Sequence, residues 1–116
     1  MIQLTPQSRI FVATEPVDFR KGIDGLAAVC RQRLGQNPLE GAVYVFRNRS
    51  ATAIKLLLYD GQGYWMMLKR LSKGRFSWWP QSADARGPLS ARELVILLWN
   101  GWPDRAQMAK DLRRVA

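Results

Sequence analysis

The chain has 116 residues, 47% of them hydrophobic and 23% charged, which fits one globular domain with a real core and argues against disorder. It contains no histidine and a single cysteine, Cys30, which excludes disulfide scaffolds, zinc sites of the usual Cys/His spacing and histidine-based nucleophilic catalysis. Eighteen basic residues against nine acidic ones give a formal charge of +9, the electrostatic footprint of a nucleic-acid partner.

In chain order, "MIQLTPQSRIFVATEP" lacks the basic start and long apolar core of a signal peptide, and no apolar stretch reaches the length of a membrane helix. The expected location is cytoplasmic. "RIFVA" (9–13) reads as a short strand. "DFRKGIDG" (18–25) follows, and Asp18 reads as the N-cap of a helix over 19–34. That helix starts awkwardly, with Arg20 and Lys21 at the wrong end of its dipole and with Gly22 and Gly25 weakening its first turns. Ile23, Leu26, Ala27, Cys30 and Leu34 form its apolar stripe, which makes Cys30 a core thiol, and Gly35 is placed for a left-handed cap.

"NPLEG" reads as a loop, and a strand meander comes next. "AVYVF" (42–46) and "AIKLLLY" (53–59) flank the polar tip "RNRSA". "DGQG" (60–63) turns into "YWMMLKRL" (64–71), and "SKG" leads to "RFSWW" (75–79). With a two- or four-residue loop at 60–63, one face of the hairpin holds Ile54, Leu56, Leu58, Trp65 and Met67, a core surface interrupted by Lys69. The other face holds Lys55, Leu57, Tyr59, Tyr64, Met66, Leu68 and Arg70.

After a small polar linker, "PLSARELVILLWNG" carries a complete helix start: Ser90 and Glu93 form a capping box, Leu89 and Leu94 a hydrophobic staple, and Gly101 closes the helix. A final helix, roughly 104–115, carries Arg105, Lys110, Arg113 and Arg114. The turn "NGWPD" before it is loosely like a helix-turn-helix. The expected fold is one α+β domain: an antiparallel β-meander of four to five strands, packed with the N-terminal helix and one or two C-terminal helices. Residues 1–101 form the domain and 102–116 a basic helix or tail.

The segments "TEPVDFRKGIDGLAAV", "GAVYVFRNRSATAIKLLLYDGQGYWMMLKRLSKGRFSW" and "LSARELVILLWNG" together resemble one bacterial protein family. It is the small second-reading-frame accessory protein, often labelled TnpB, of the insertion sequences of family sixty-six, distinct from the RNA-guided nuclease that shares the label. The resemblance runs roughly from Arg9 to Gly101 and leaves out the last helix. It implies an accessory role in transposition beside a separate, larger transposase. It carries over no catalytic residue and no cofactor, while its matched motif positions Arg20, Lys21, Arg47, Arg49, Lys55, Lys69, Arg70 and Arg75 are basic.

Seven basic residues lie between Gly41 and Trp79, where Asp60 is the lone acid, and Lys73 is among them. The leading expectation is a non-catalytic subunit that binds double-stranded transposon ends, or the transposase–DNA complex, through Arg20, Lys21, Arg47, Arg49, Lys55, Lys69, Arg70, Lys73 and Arg75. Arg47 and Arg49 at one hairpin tip are expected to lie beside Lys73 and Arg75 at another. A phosphate approaching the 18–25 helix start would make Arg20 and Lys21 favourable there. The alternative is that these cations pair with a nearby acid such as Glu15 or Asp24. The five tryptophans can stack on bases, but core or interface roles are commoner. A protein-interaction module that binds the transposase without touching DNA is a second reading. A metal-dependent nuclease is a third and needs Asp18, Asp24 and Asp60 to converge.

Overall fold

A computed structural model describes residues 9–81 and 89–101 of the chain. The last basic helix and most of the 81–88 linker lie outside the described residues. Four strands, β1 (Ile10–Val12), β2 (Val43–Arg47), β3 (Ala53–Tyr59) and β4 (Tyr64–Arg70), form one sheet in the order β1-β2-β3-β4. Helices α1 (Ile23–Gln32) and α2 (Ala91–Leu98) cover opposite faces, and a short 3₁₀ turn (Pro38–Glu40) precedes β2. The class is α+β, as expected.

β2, β3 and β4 make the expected antiparallel meander. β1 departs from it by pairing with β2 in parallel, Ile10 beside Val43 and Val12 beside Val45, so the sheet is mixed. The chain between them passes through α1, the crossover that a parallel pair requires. The fifth candidate strand does not form. Phe76 donates its N–H to Ala51 O at 2.7 Å, and 75–79 then crosses the α2 side of the sheet as irregular chain. Phe76 and Trp79 are buried there, and the Trp79 indole donates to Ala13 O at 2.9 Å.

The β3–β4 turn has four residues, with Tyr59 opposite Tyr64 and Leu56 opposite Met67, so the expected face assignment holds. Ile54 and Leu58 join Ile10, Val12, Val43 and Val45 beneath Leu94 and Leu97 of α2. The opposite face is also a core. Tyr44, Phe46 and Leu57 pack beneath the α1 stripe of Leu26, Ala27 and Cys30. Sheets covered on both sides read as continuous apolar runs, and "AVYVF" is one. This burial stops at β3, because Trp65, Met66, Met67 and Leu68 of β4 are exposed.

The helix ends follow local chemistry. Ser90 Oγ accepts from Glu93 N at 3.0 Å and Glu93 Oε1 from Ser90 N at 3.1 Å, the full capping box. At the other end Asn100, not Gly101, takes the left-handed position (φ +60°). Asn100 N donates to Leu97 O and Gly101 N to Ile96 O, a Schellman closure. Gly35 adopts φ +62° just beyond α1. α1 itself begins at Ile23, with Gly22 as a bare N-cap. Asp18 does not cap it.

Candidate nucleic-acid interface at one end of the sheet

Three backbone hydrogen bonds gather three loops at the end of the sheet where β2 ends, β3 begins and β4 ends. Val17 N donates to Arg47 O, Leu71 N to Thr52 O and Phe76 N to Ala51 O. The 48–52 turn thus sits beside both the 71–76 segment and the loop before α1. The tip carrying Arg47 and Arg49 and the segment carrying Lys73 and Arg75 share this end of the sheet.

Asn48 makes the turn rigid. Its Oδ1 accepts from Thr52 N at 2.9 Å and Ala53 N at 3.1 Å, while its Nδ2 donates to Thr52 Oγ1 at 2.9 Å. Ala51 is held at φ +58°, a conformation that a non-glycine residue adopts only when its surroundings fix it. Arg49 projects from this turn. With Lys21 and Arg33 it lines a cleft of about 620 Å³ whose walls also include Asp18, Asn48 and Ser50. Arg33 was not among the expected site residues, because it follows the end of α1 and reaches the cleft only through the tertiary fold.

Arg20 and Lys21 precede the helix instead of opening it. Asp18 Oδ1 accepts from Arg20 N at 2.9 Å, an Asx turn, and the Asp18 carboxylate grips the Arg20 guanidinium at 2.6 Å. These bonds, the side-chain one first, hold the Asp18 carboxyl at about 2. An acid does pair with Arg20, but it is Asp18. Gly25 lets the Lys21 side chain lie close, since a Cβ there would meet Lys21 Cβ at 3.0 Å.

The other expected site residues differ in their surroundings. Arg70, Lys73 and Arg75 are exposed at the same end as Arg49. Arg47 is half-buried, with its guanidinium 5.8 Å from the Trp79 ring centre and its Nε buried without a hydrogen-bond partner. Lys69 donates to Leu98 O at the end of α2 and lies over the Trp99 ring. Lys55 is buried and not presented at this end of the sheet. It is 8% exposed, and its Nζ donates to Phe19 O and Lys21 O beneath the loop that presents Arg20 and Lys21. Its position on the outward-reading face of β3 misled because α1 covers that face.

The acids do not converge. Asp18 lies at the basic end, whereas Asp60 sits in the turn at the far end of β3, accepting from Gln62 N, Gly63 N and Trp65 Nε1. Among the described residues no cluster of three metal-ligating side chains occurs. Burial pushes the Cys30 thiol up to about 12, as suits a core residue. Among the described residues no helix is long and apolar enough to cross a membrane.

A family model described as "IS66 Orf2 like protein" matches residues 8–107. The chain belongs to the IS66 Orf2-like family. The match extends past Gly101, where the motif resemblance stopped. Two Sinorhizobium fredii proteins are similar to this IS66 Orf2-like chain over 90 residues, 78% of its length. The one named uncharacterized protein y4hO is 39% identical with 77% of its length covered, and the one named uncharacterized protein y4jC is 36% identical with 76% covered. No solved structure matches. Membership in the IS66 Orf2-like family supports an accessory role in transposition.

Proposed function

We propose that this IS66 Orf2-like protein is a non-catalytic DNA-binding accessory subunit of transposition. It grips the phosphate backbone of double-stranded transposon ends, alone or with the element's transposase, through the basic end of its sheet. The observation that carries this reading is the convergence of Lys21, Arg33 and Arg49 on one cleft, with Arg70, Lys73 and Arg75 exposed at the same end of the sheet. The one acid among the residues lining that cleft is Asp18, and it is engaged by Arg20. Lysine and arginine contacts to phosphate position a protein on DNA without reading sequence, so general affinity is expected, with base readout left to other groups.

The test is a filter-binding titration of a DNA duplex at about 50 mM and about 200 mM salt. If four phosphates are neutralised, affinity falls by about a hundredfold between the two. Arg49→Glu with Lys73→Glu should weaken binding uniformly across sequences and flatten that slope. Wild-type affinity in the double variant, or binding indifferent to salt, overturns the reading.

A further inference from the structure

The two edges of the sheet differ. At the β1 edge, Leu89 N donates to Ile10 O and forms a bridge that occupies part of the strand. At the other edge, β4 has a neighbour on one side only among the described residues. Natural edge strands are usually blunted by inward charges, proline or bulges, because an open edge invites pairing. β4 has no proline, and its cations sit together at one end. Its apolar residues are exposed on both faces, Trp65 at 51% and Met67 at 39% on one, Leu68 at 60% and Met66 at 39% on the other.

The hydrogen-bond phase of this edge is determined. Asp60 N donates to Gly63 O and Leu71 N to Thr52 O, so the bonded pairs of the hairpin involve odd residues of β4. Bonded and non-bonded pairs alternate in an antiparallel ladder. The N–H and C=O groups of Tyr64, Met66, Leu68 and Arg70 therefore face outward, and those of Trp65, Met67 and Lys69 face β3.

We propose that the chain forms a two-fold dimer by antiparallel pairing of β4 with β4 of a second copy, centred on Met67. With this centre Tyr64 faces Arg70 of the second copy and Met66 faces Leu68. All four are outward-facing residues, so their backbone groups meet in phase and make about eight new hydrogen bonds. Met67 faces its own copy at a close, non-bonded position on the axis. Moving the centre by one residue, to Met66 or Leu68, also keeps the phase but drops two residues from each seven-residue strand. Only Met67 pairs the whole strand.

Charge favours the same partner and the same centre. Position 69 falls opposite Trp65 and position 70 opposite Tyr64, so no two cations oppose each other across the new pair. The antiparallel sense also sends the two basic ends to opposite ends of the doubled sheet, about 20 Å apart over the strand length. That distance exceeds twice the Debye length at physiological salt, so two strongly basic copies can associate. Parallel pairing would stack the basic ends. The dimer presents two separate basic ends, yet it stands independently of whether they bind DNA.

The test is made without DNA. Sedimentation equilibrium of the wild-type chain at about 50 µM should show a dimer whose population follows mass action. Leu68→Pro removes only an outward N–H, which an edge strand tolerates, and should weaken association at least about tenfold with circular dichroism unchanged. Met67→Cys places thiols across the axis at a spacing a disulfide can span, while Cys30 is buried. Mild oxidation should therefore give a covalent dimer for Met67→Cys and none for Trp65→Cys, whose partner across the axis is Lys69. A wild-type monomer at this concentration overturns the proposal. So does a dimer indifferent to Leu68→Pro that fails to cross-link through Met67→Cys, or β4 engaged by the transposase in a chain otherwise monomeric.

Discussion

The ammonium of Lys55 lies 2.9 Å from the carbonyl oxygen of Phe19 and 4.8 Å from the centre of the Phe19 ring. A lysine from the middle of β3 thus holds up the loop that presents Arg20 and Lys21. Its charge is satisfied by two carbonyls and a ring face, without a carboxylate. Lys55→Met keeps most of the apolar stem and strips both carbonyls of their donor. It should cost about 1–3 kcal/mol, read from the urea midpoint, because hydrogen bonds to charged groups are worth that much. Once folded, the variant should bind DNA within about threefold of wild type, since Lys55 makes no phosphate contact in this reading. Full stability with lost DNA binding would place Lys55 on the DNA instead.

Asp18 restrains Arg20, whose side chain is otherwise open to solvent. Asn at this position can still accept from Arg20 N but no longer neutralises the side chain. Asp18→Asn should tighten binding of a DNA duplex by about two- to fivefold at low salt and steepen the salt slope by about one contact. Weaker binding would mean that Asp18 aims Arg20 at the phosphate.

Asn100 joins two roles. Its backbone holds φ +60° at the end of α2. Its Oδ1 accepts from Ser77 N at 2.7 Å and from Ser77 Oγ, and its Nδ2 donates to Arg75 O. Asn100→Gly keeps the backbone conformation and loses the tether. Asn100→Ala loses both. Stability in urea should therefore fall in the order wild type, glycine, alanine, with glycine and alanine separated by about 1 kcal/mol. Equal losses would assign the whole effect to the side chain.

Asp60 supplies a pH-dependent contribution. Backbone donors Gly63 and Gln62, then the Trp65 indole, hold its carboxyl at about 2, below the ordinary 3.8. A carboxyl depressed on folding stabilises the fold above its unfolded value and loses that contribution as pH falls toward 2. The β3–β4 turn should be indifferent to pH from 8 down to about 4 and loosen only as the pH falls from there toward 2. The Trp65 indole proton resonance should report this, and Asp60→Asn should abolish the shift. A titration centred near the ordinary carboxylate value would contradict the hydrogen-bonded turn.

Features set by local bonding were legible from sequence. Ser90 and Glu93 announce their helix start because both partners lie within one turn, and the four-residue turn at 60–63 fixes the β3–β4 register. Asp18 misled because an N-cap and an Asx turn use the same carboxylate-to-N–H bond, and only the chain beyond Lys21 distinguishes them. The parallel placement of β1 depends on a partner some thirty residues away, beyond any local pattern. Lys55 and Arg33 exchanged expectations for one reason: which side of β3 receives α1 is a tertiary fact. The 75–79 segment had the apolar content of a strand but is held by Ala51 and Asn100, neither of which signals an edge.

The final prediction separates the sheet from the tail. Residues 102–116 carry Arg105, Lys110, Arg113 and Arg114 and lie outside the described residues, and the family match covers them only to residue 107. If the basic end of the sheet is the main phosphate-binding surface, these four cations add affinity without determining it. Deleting 104–116 should lower affinity for a DNA duplex by about tenfold and reduce the salt slope, leaving general binding in place. A tail helix seated in a major groove would behave otherwise: its loss would remove discrimination between sequences along with most of the affinity. Circular dichroism of the truncated chain must match wild type for either outcome to count. Abolished binding on an intact fold would transfer recognition to the tail and leave the cleft of Lys21, Arg33 and Arg49 without a DNA-binding role.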